Sequence, residues 1–501
     1  MVGSADWVVP MSFSPGSIPT LPTLALSDAE KKLVESLEKR QSSNNRDRAE
    51  MELTDAYYHG WQVIQDLGIS IPKEIYEKLR TLTGWARIAV DPMVERLAVD
   101  GFRLAGATDA DAGLRDLWDA NGLDAELPMA LTDALVKRRA FWTVGSGDEA
   151  GDPPRICAES PLNISVDWQL GGRVPKAALQ KYQVDDRNEA VLYLPQQTIY
   201  LAQRDKASNW EVTNRDLHNF GRVPIIRMAH APETDRRDGF SAITPELMSI
   251  IDGACRTLLG LEVAREFYSV PQKVILGAAE SDFQGADGRP RKAWETYINK
   301  VLALERDEDG NIPEIHQFQP YDPSVFTKIV EMYASQASGI LAANPQDLGL
   351  YTQGNPASAE AGAVIEARRD RRAKRVASVG SVSLIEVMQM AKRFENDGVL
   401  PDEFKRMAVD WHPIALETPG VTSDAVSKDI ASGAVPATSD VVLKKLRYSA
   451  IERAQIAQDR PAADAQSALD QVRDVLLANA AKAAATPAEK KPGAPSVSAN
   501  G

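Results

Sequence analysis

Catalysis and metal binding need particular side chains at particular spacings, and few such patterns occur in this chain. The five histidines, His59, His218, His230, His316 and His412, are scattered with no ligand spacing, so an imidazole metal centre is not expected. Cys157 and Cys255 are the two cysteines, too few for a disulfide framework or a thiolate zinc site. The stretch ERDEDGNIPEIH, residues 305–316, has Asp307, Asp309 and Gly310 at the offsets of a calcium loop. Its first position is Glu305, however, and its twelfth, where a bidentate glutamate belongs, is His316. An Asp-Gly-Asn turn is the better reading. None of the motifs G-x-x-x-x-G-K-[ST], G-x-G-x-x-G, H-E-x-x-H or G-x-S-x-G occurs. The expectation is a chain with no catalytic residue, no metal and no cofactor.

Two stretches still carry a pattern. In RRDRRAKR, residues 368–375, Arg368, Arg371, Arg372 and Arg375 share one face if the segment is helical. Arginine clusters suit phosphate, which points to DNA; the alternative is a solvated or inter-subunit salt-bridging face. The second stretch, NPQDLGLYTQGNPASAEA at 344–361, is polar and holds Pro345, Gly349, Gly354 and Pro356 between two strongly helical patterns. Aperiodic loops of that length tend to be functional or disordered.

A chain of 501 residues suggests about three domain-sized units to support these stretches. The composition, 44% hydrophobic and 26% charged, is that of an ordinary globular protein. No apolar run approaches the roughly 18 residues of a membrane span, and the first residues lack a signal-peptide pattern. A formal charge of −14 argues against gripping nucleic acid by phosphate neutralisation. It does not exclude a protein that lets DNA pass.

Residues 1–27 are rich in Pro, Ser and Gly and read as an extended arm. Ser27-Asp28-Ala29-Glu30 is a capping box that opens a helix. Helical patterns continue through residues 71–82, 84–99, 111–121 and 127–140, with Gly122 as a stop. From about 155 to 231, short alternating runs separated by turn formers predict an antiparallel meander, with Pro195 marking an edge or bulge. Thr244-Pro245-Glu246 then starts a helix of about 24 residues, roughly 36 Å long. Its apolar stripe reads as Leu247, Ile250, Ile251, Ala254, Leu258, Leu261, Ala264 and Phe267. A mixed module covers 269–321. Asp322-Pro323 caps a second helix, which should stop at Asn344 before Pro345. A third starts at Asn355-Pro356 and runs to about Asn396, with a kink expected at Ser378–Ser381. Short helices follow, one opened by a capping box at Ser449-Ala450-Ile451-Glu452, and a low-complexity tail covers 461–501.

The order of these parts resembles the portal, or head-to-tail connector, proteins of tailed double-stranded-DNA bacteriophages, siphophage type. The residues carrying the resemblance are 239–277, 338–375 and 423–446, within a similar layout over 28–460. The resemblance implies an α+β, predominantly α subunit that assembles as a ring. Its parts would be a wing (28–240, with the β insertion at about 155–231), a first stem helix (241–268), a clip (269–321) and a second stem helix (322–343). A tunnel loop (344–358), a long kinked helix (359–395) and a crown (396–460) would complete it. In that layout Gln346, Tyr351, Gln353 and Asn355 would form a polar collar on passing DNA; a plain surface linker is the alternative. The implied function is a dodecameric DNA channel at one capsid vertex, serving genome packaging, head–tail joining and DNA ejection. Implied partners are double-stranded DNA, the terminase large subunit, major capsid and scaffold proteins, and neck adaptors, with no membrane. The implied location is the virion, and the host cytoplasm during assembly. Two other classes stay open: another head–tail adaptor or capsid assembly protein, and an enzyme with an unrecognised site.

Overall fold

The computed structural model describes residues 25–42, 45–63, 81–147, 151–184, 187–203, 209–218, 220–268, 273–276, 314–317, 322–350, 359–415, 419–437, 439–446, 448 and 452–459. The arm at 1–24, the predicted helix at 71–82, most of 269–321, the Ser449 cap and the tail from 460 lie outside the described residues. The chain divides into two compact units, Met1–Leu416 and Glu417–Gly501.

In the first unit α1 (Asp28–Gln41) opens as predicted. The Ser27 side chain accepts the Glu30 N–H and the Glu30 carboxylate accepts the Ser27 N–H. Helix α2 (Arg46–His59) follows. The segment 84–99, expected as one helix, breaks into two single turns, α3 (Trp85–Ile88) and α4 (Asp91–Val94). Strand β1 (Val99–Leu104) comes next. Helices α5 (Ala112–Ala120) and α6 (Leu123–Val136) flank Gly122, which is left-handed at φ 59°. Helix α6 ends four residues before the expected 140, because Arg138 turns left-handed (φ 74°) and β2 (Arg139–Gly145) begins. The guanidinium that makes this conformation tenable donates to the Asp47 carboxylate and backbone carbonyl (3.0 Å to the latter) and to Glu50 (3.3 Å).

The meander forms two sheets. Strands β4 (Ile164–Trp168), β5 (Pro175–Val184), β6 (Arg187–Tyr193), β7 (Gln197–Gln203) and β8 (Glu211–Leu217) pair antiparallel in sequence order. Pro195 sits in the turn between β6 and β7, not at an edge or bulge. A smaller sheet has the order β3-β2-β9, with β3 at Arg155–Glu159 and β9 at Ile225–Ala229. Alternation explains the layering. Leu179, Leu192 and Ile199 are in register across β5, β6 and β7, and pack with Val34 and Leu37 of α1. The opposite face contributes Ile164, Val166 and Ala178, which meet Phe141 and Ile225 of the smaller sheet.

Helix α7 (Pro245–Tyr268) has the predicted start and length. Its buried stripe is Leu247, Ile251, Ala254, Cys255 and Leu259; Leu258 and Leu261 are only half-buried. Strands β10 (Lys273–Leu276) and β11 (Glu314–Gln317) form a two-stranded ladder. Helix α8 (Ser324–Leu341) runs back along α7. A Cβ on Gly253 would lie 2.6 Å from the Tyr333 ring, and one on Gly260 3.2 Å from Phe326. The glycines are therefore where the two helices approach most closely, and the crossed order of these contacts makes the pair antiparallel. Helix α9 (Ala359–Glu395) spans 37 residues and stays helical through Ser378–Ser381. It buries Leu384, Val387, Met388 and Ala391 in the main core, with Trp118, Trp142 and Phe102. Strand β12 (Met407–Trp411), inside the range expected as crown, pairs with β1 in the first unit.

The second unit holds α10 (Pro419–Ala431) and α11 (Asp440–Lys445), the latter capped by the Ser439 hydroxyl. Lys445 bonds Asp429 at 2.7 Å within it. Among the described residues no helix is long and apolar enough to cross a membrane.

Candidate functional site

The described histidines stay apart. His59 lies 3.6 Å from Asp55 and stacks on Trp61. His218 stacks on Phe220. The ring Nδ1 of His230 contacts the Phe240 carbonyl at 2.7 Å, and burial holds the pKa of this imidazole down. His412 is 3.9 Å from Asp100. Cys157 and Cys255 are free thiols, both pushed up to about 11, mainly by burial.

The polar stretch and the basic run, in contrast, meet. Helix α8 ends at Leu341, earlier than the expected Asn344, because Ala342 turns left-handed (φ 51°). The Ser338 hydroxyl closes the end by donating to the Ala343 carbonyl at 2.8 Å. Asn344 is indeed extended ahead of Pro345, as a pre-proline residue should be. It then caps a 3-10 turn over Pro345–Leu348. Its side chain accepts the Gln346 N–H at 3.4 Å, and Asp347 accepts the Asn344 N–H at 3.2 Å. Leu348 anchors this turn in the main core, Gln346 is exposed, and Gly349 leaves it left-handed at φ 82°. Tyr351, Gln353 and Asn355 lie outside the described residues. The first part of the expected loop is thus an ordered cap.

Within the run at 368–375, Arg369 turns inward while Arg368, Arg371, Arg372 and Arg375 are exposed. Arg369, 7% exposed, donates to Asp347 at 2.6 Å and to Glu366 at 3.3 Å. Arg372 donates to the carbonyls of Ile340 (2.9 Å) and Leu341 (3.0 Å), the last residues of α8. There it satisfies free acceptors at the negative end of the helix dipole. Partial burial, then the charges of Arg368 and Arg369, lower its pKa. Arg368, Arg371 and Arg375 are exposed and pair with no carboxylate among the described residues; the Arg371 Nε returns to its own helix at Ala367. All four predicted cations are exposed, and one of them, Arg372, also binds the end of α8.

Arg96 was not read from the sequence. Its guanidinium, side chain 4% exposed, lies between Glu366 (2.6 Å) and Asp370 (2.7 Å), one turn apart on α9. The available signal was the acid spacing. Asp370 reads as an interruption of the basic run, yet with Glu366 it makes an i,i+4 carboxylate pair.

A family model described as "Phage portal protein, SPP1 Gp6-like" matches residues 37–414. Curated relatives named "Portal protein" come from Mycobacterium phage D29 (29% identical) and Mycobacterium phage L5 (30%), each over 80% of this chain and 83% of the relative. A solved chain from the "Neck of native GTA particle computed with C12 symmetry" is 15% identical over 75% of this chain and 94% of its own, with a TM-score of 0.38. The chain belongs to the SPP1-like family of phage portal proteins. That is a family of structural proteins, not of enzymes, and the role is a portal in the virion at the capsid vertex.

Proposed function

We propose that copies of this chain close into a ring, with twelve copies expected, around a channel for double-stranded DNA. Residues 28–240 would form the wing, α7 and α8 the stem pair, 269–321 the clip, and the stretch from Asn344 the tunnel loop. Because β12 pairs with β1, the crown is better begun near 417 than at 396. The observation that carries the reading is the antiparallel pair α7–α8 delivering the polar stretch at one end, within the matched span 37–414. An exposed apolar row on α8, Val325, Ile329 and Met332, supports lateral packing against a neighbouring copy. Surplus acid repeated around a channel would favour sliding over sticking.

Gln346, Tyr351, Gln353 and Asn355 are assigned to a polar collar on passing DNA, and Arg368, Arg371, Arg372 and Arg375 to a contact with DNA or a neighbouring subunit. The partners would be the terminase large subunit, capsid and scaffold proteins, and neck adaptors, met first in the host cytoplasm. Replacing Tyr351, Gln353 and Asn355 together by Ala tests the collar. Ring mass should be unchanged while DNA per particle falls about tenfold, the scale of losing a few contacts. Loss of rings, or wild-type filling, overturns the assignment.

A further inference from the structure

We infer that Arg369, Asp347, Arg96 and Arg372 are positioning residues, which fix where the polar stretch leaves the helix pair. This rests on the collar reading and deepens it.

The ion pairs form one continuous chain across three parts of the first unit. Arg96, just beyond α4, holds Glu366 and Asp370. Glu366 also accepts from Arg369, and Arg369 reaches across to Asp347. Asp347 in turn closes the capping box on Asn344. About one helical turn further along, Arg372 binds the end of α8.

Each link constrains a different freedom. Two carboxylates one turn apart grip a single planar guanidinium, so α9 cannot rotate about its axis without parting them from Arg96. Arg369 projects from between those carboxylates, so the turn at Pro345–Leu348 follows that rotation. Arg372 ties the same helix to the α8 terminus. Two buried guanidinium groups paired with carboxylates that are partly exposed, Glu366 at 41% and Asp347 at 39%, are a poor way to gain stability, because desolvation of the cations offsets much of the attraction. They are a good way to define one geometry. The wing, the long helix and the root of the loop thereby share one register.

The test uses full-length rings in assembled particles, scored for ring mass and DNA content. The single variants Arg369→Gln and Asp347→Asn should form rings yet fill about tenfold less, the scale of a paired-charge coupling. Arg369→Lys, which keeps a cation facing Asp347 and Glu366 and leaves the Asp347 cap on Asn344 intact, should recover most of the filling with ring mass unchanged. Wild-type filling in Arg369→Gln and Asp347→Asn, a filling loss that only follows loss of rings, or Arg369→Lys filling no better than Arg369→Gln overturns the assignment. The Tyr351, Gln353 and Asn355 triple variant separates the two readings. Normal filling there removes the collar and this assignment together. A filling defect there beside normal single variants removes this assignment alone.

Discussion

Glu30 illustrates what one side chain does here. Its oxygens accept the Ser27 N–H at 2.8 Å and both terminal nitrogens of Arg215, at 2.8 and 2.9 Å. The Arg215 guanidinium, more than any other group, lowers its pKa from 4.5 to about 2. A carboxyl whose folded pKa is depressed stabilises fully above its unfolded value and loses that contribution as pH falls through the folded one. The window is therefore from 4.5 down to about 2. Arg215→Met should melt a few degrees below wild type at pH 7. That difference should shrink through the window and vanish near pH 2; calorimetry at several pH values checks it, and a constant difference refutes the assignment. The capping box was legible because its partners are three residues apart. Arg215, 185 residues further on, was not. The basic run shows the same limit: spacing grouped Arg368, Arg371, Arg372 and Arg375, which are all exposed, but not the contacts of Arg369 with Asp347 or of Arg372 with the α8 carbonyls.

At the scale of elements, close approach matters more than propensity. Gly253 lies under the Tyr333 ring, so Gly253→Ala puts a methyl where there is no room. Despite the higher helix propensity of alanine, the substitution should destabilise by about 1–3 kcal/mol through overpacking. Gly253→Ala with Tyr333→Leu should recover most of that loss; chemical denaturation of both variants decides. The partners of Gly253 and Gly260, Tyr333 and Phe326 on α8, lie too far along the chain for any local pattern to name them. Strand β12 was missed for a related reason. Five residues with one half-exposed face carry little periodic signal, and their partner β1 lies some three hundred residues earlier. The break at Arg138 was hidden too, since a left-handed arginine is held by Asp47 and Glu50, not by its neighbours in sequence.

For the whole molecule, the exposed row Val325, Ile329 and Met332 is one apolar feature that a single chain leaves uncovered. A ring needs heterologous contacts that close, each copy offering one surface to the next. Ile329→Asp with Met332→Asp should leave the helical content of the subunit unchanged, because both side chains point away from the core. It should shift the native mass from ring to small species. Rings that survive the pair of charges would move the subunit contact elsewhere.

The helix starts at Ser27 and Thr244-Pro245, the antiparallel meander, the polar interruption after α8 and, through the order of these parts, the portal family are written in the order of residues. The pairing of β12 with β1, the grip of Arg96 on Glu366 and Asp370, and the contacts of Arg369 with Asp347 and of Arg372 with the end of α8 come from packing alone. A cap or an alternating strand is settled among residues a few positions apart, so its cause is written in consecutive letters. An ion pair or register between distant segments depends on everything packed between them, and no local pattern records it.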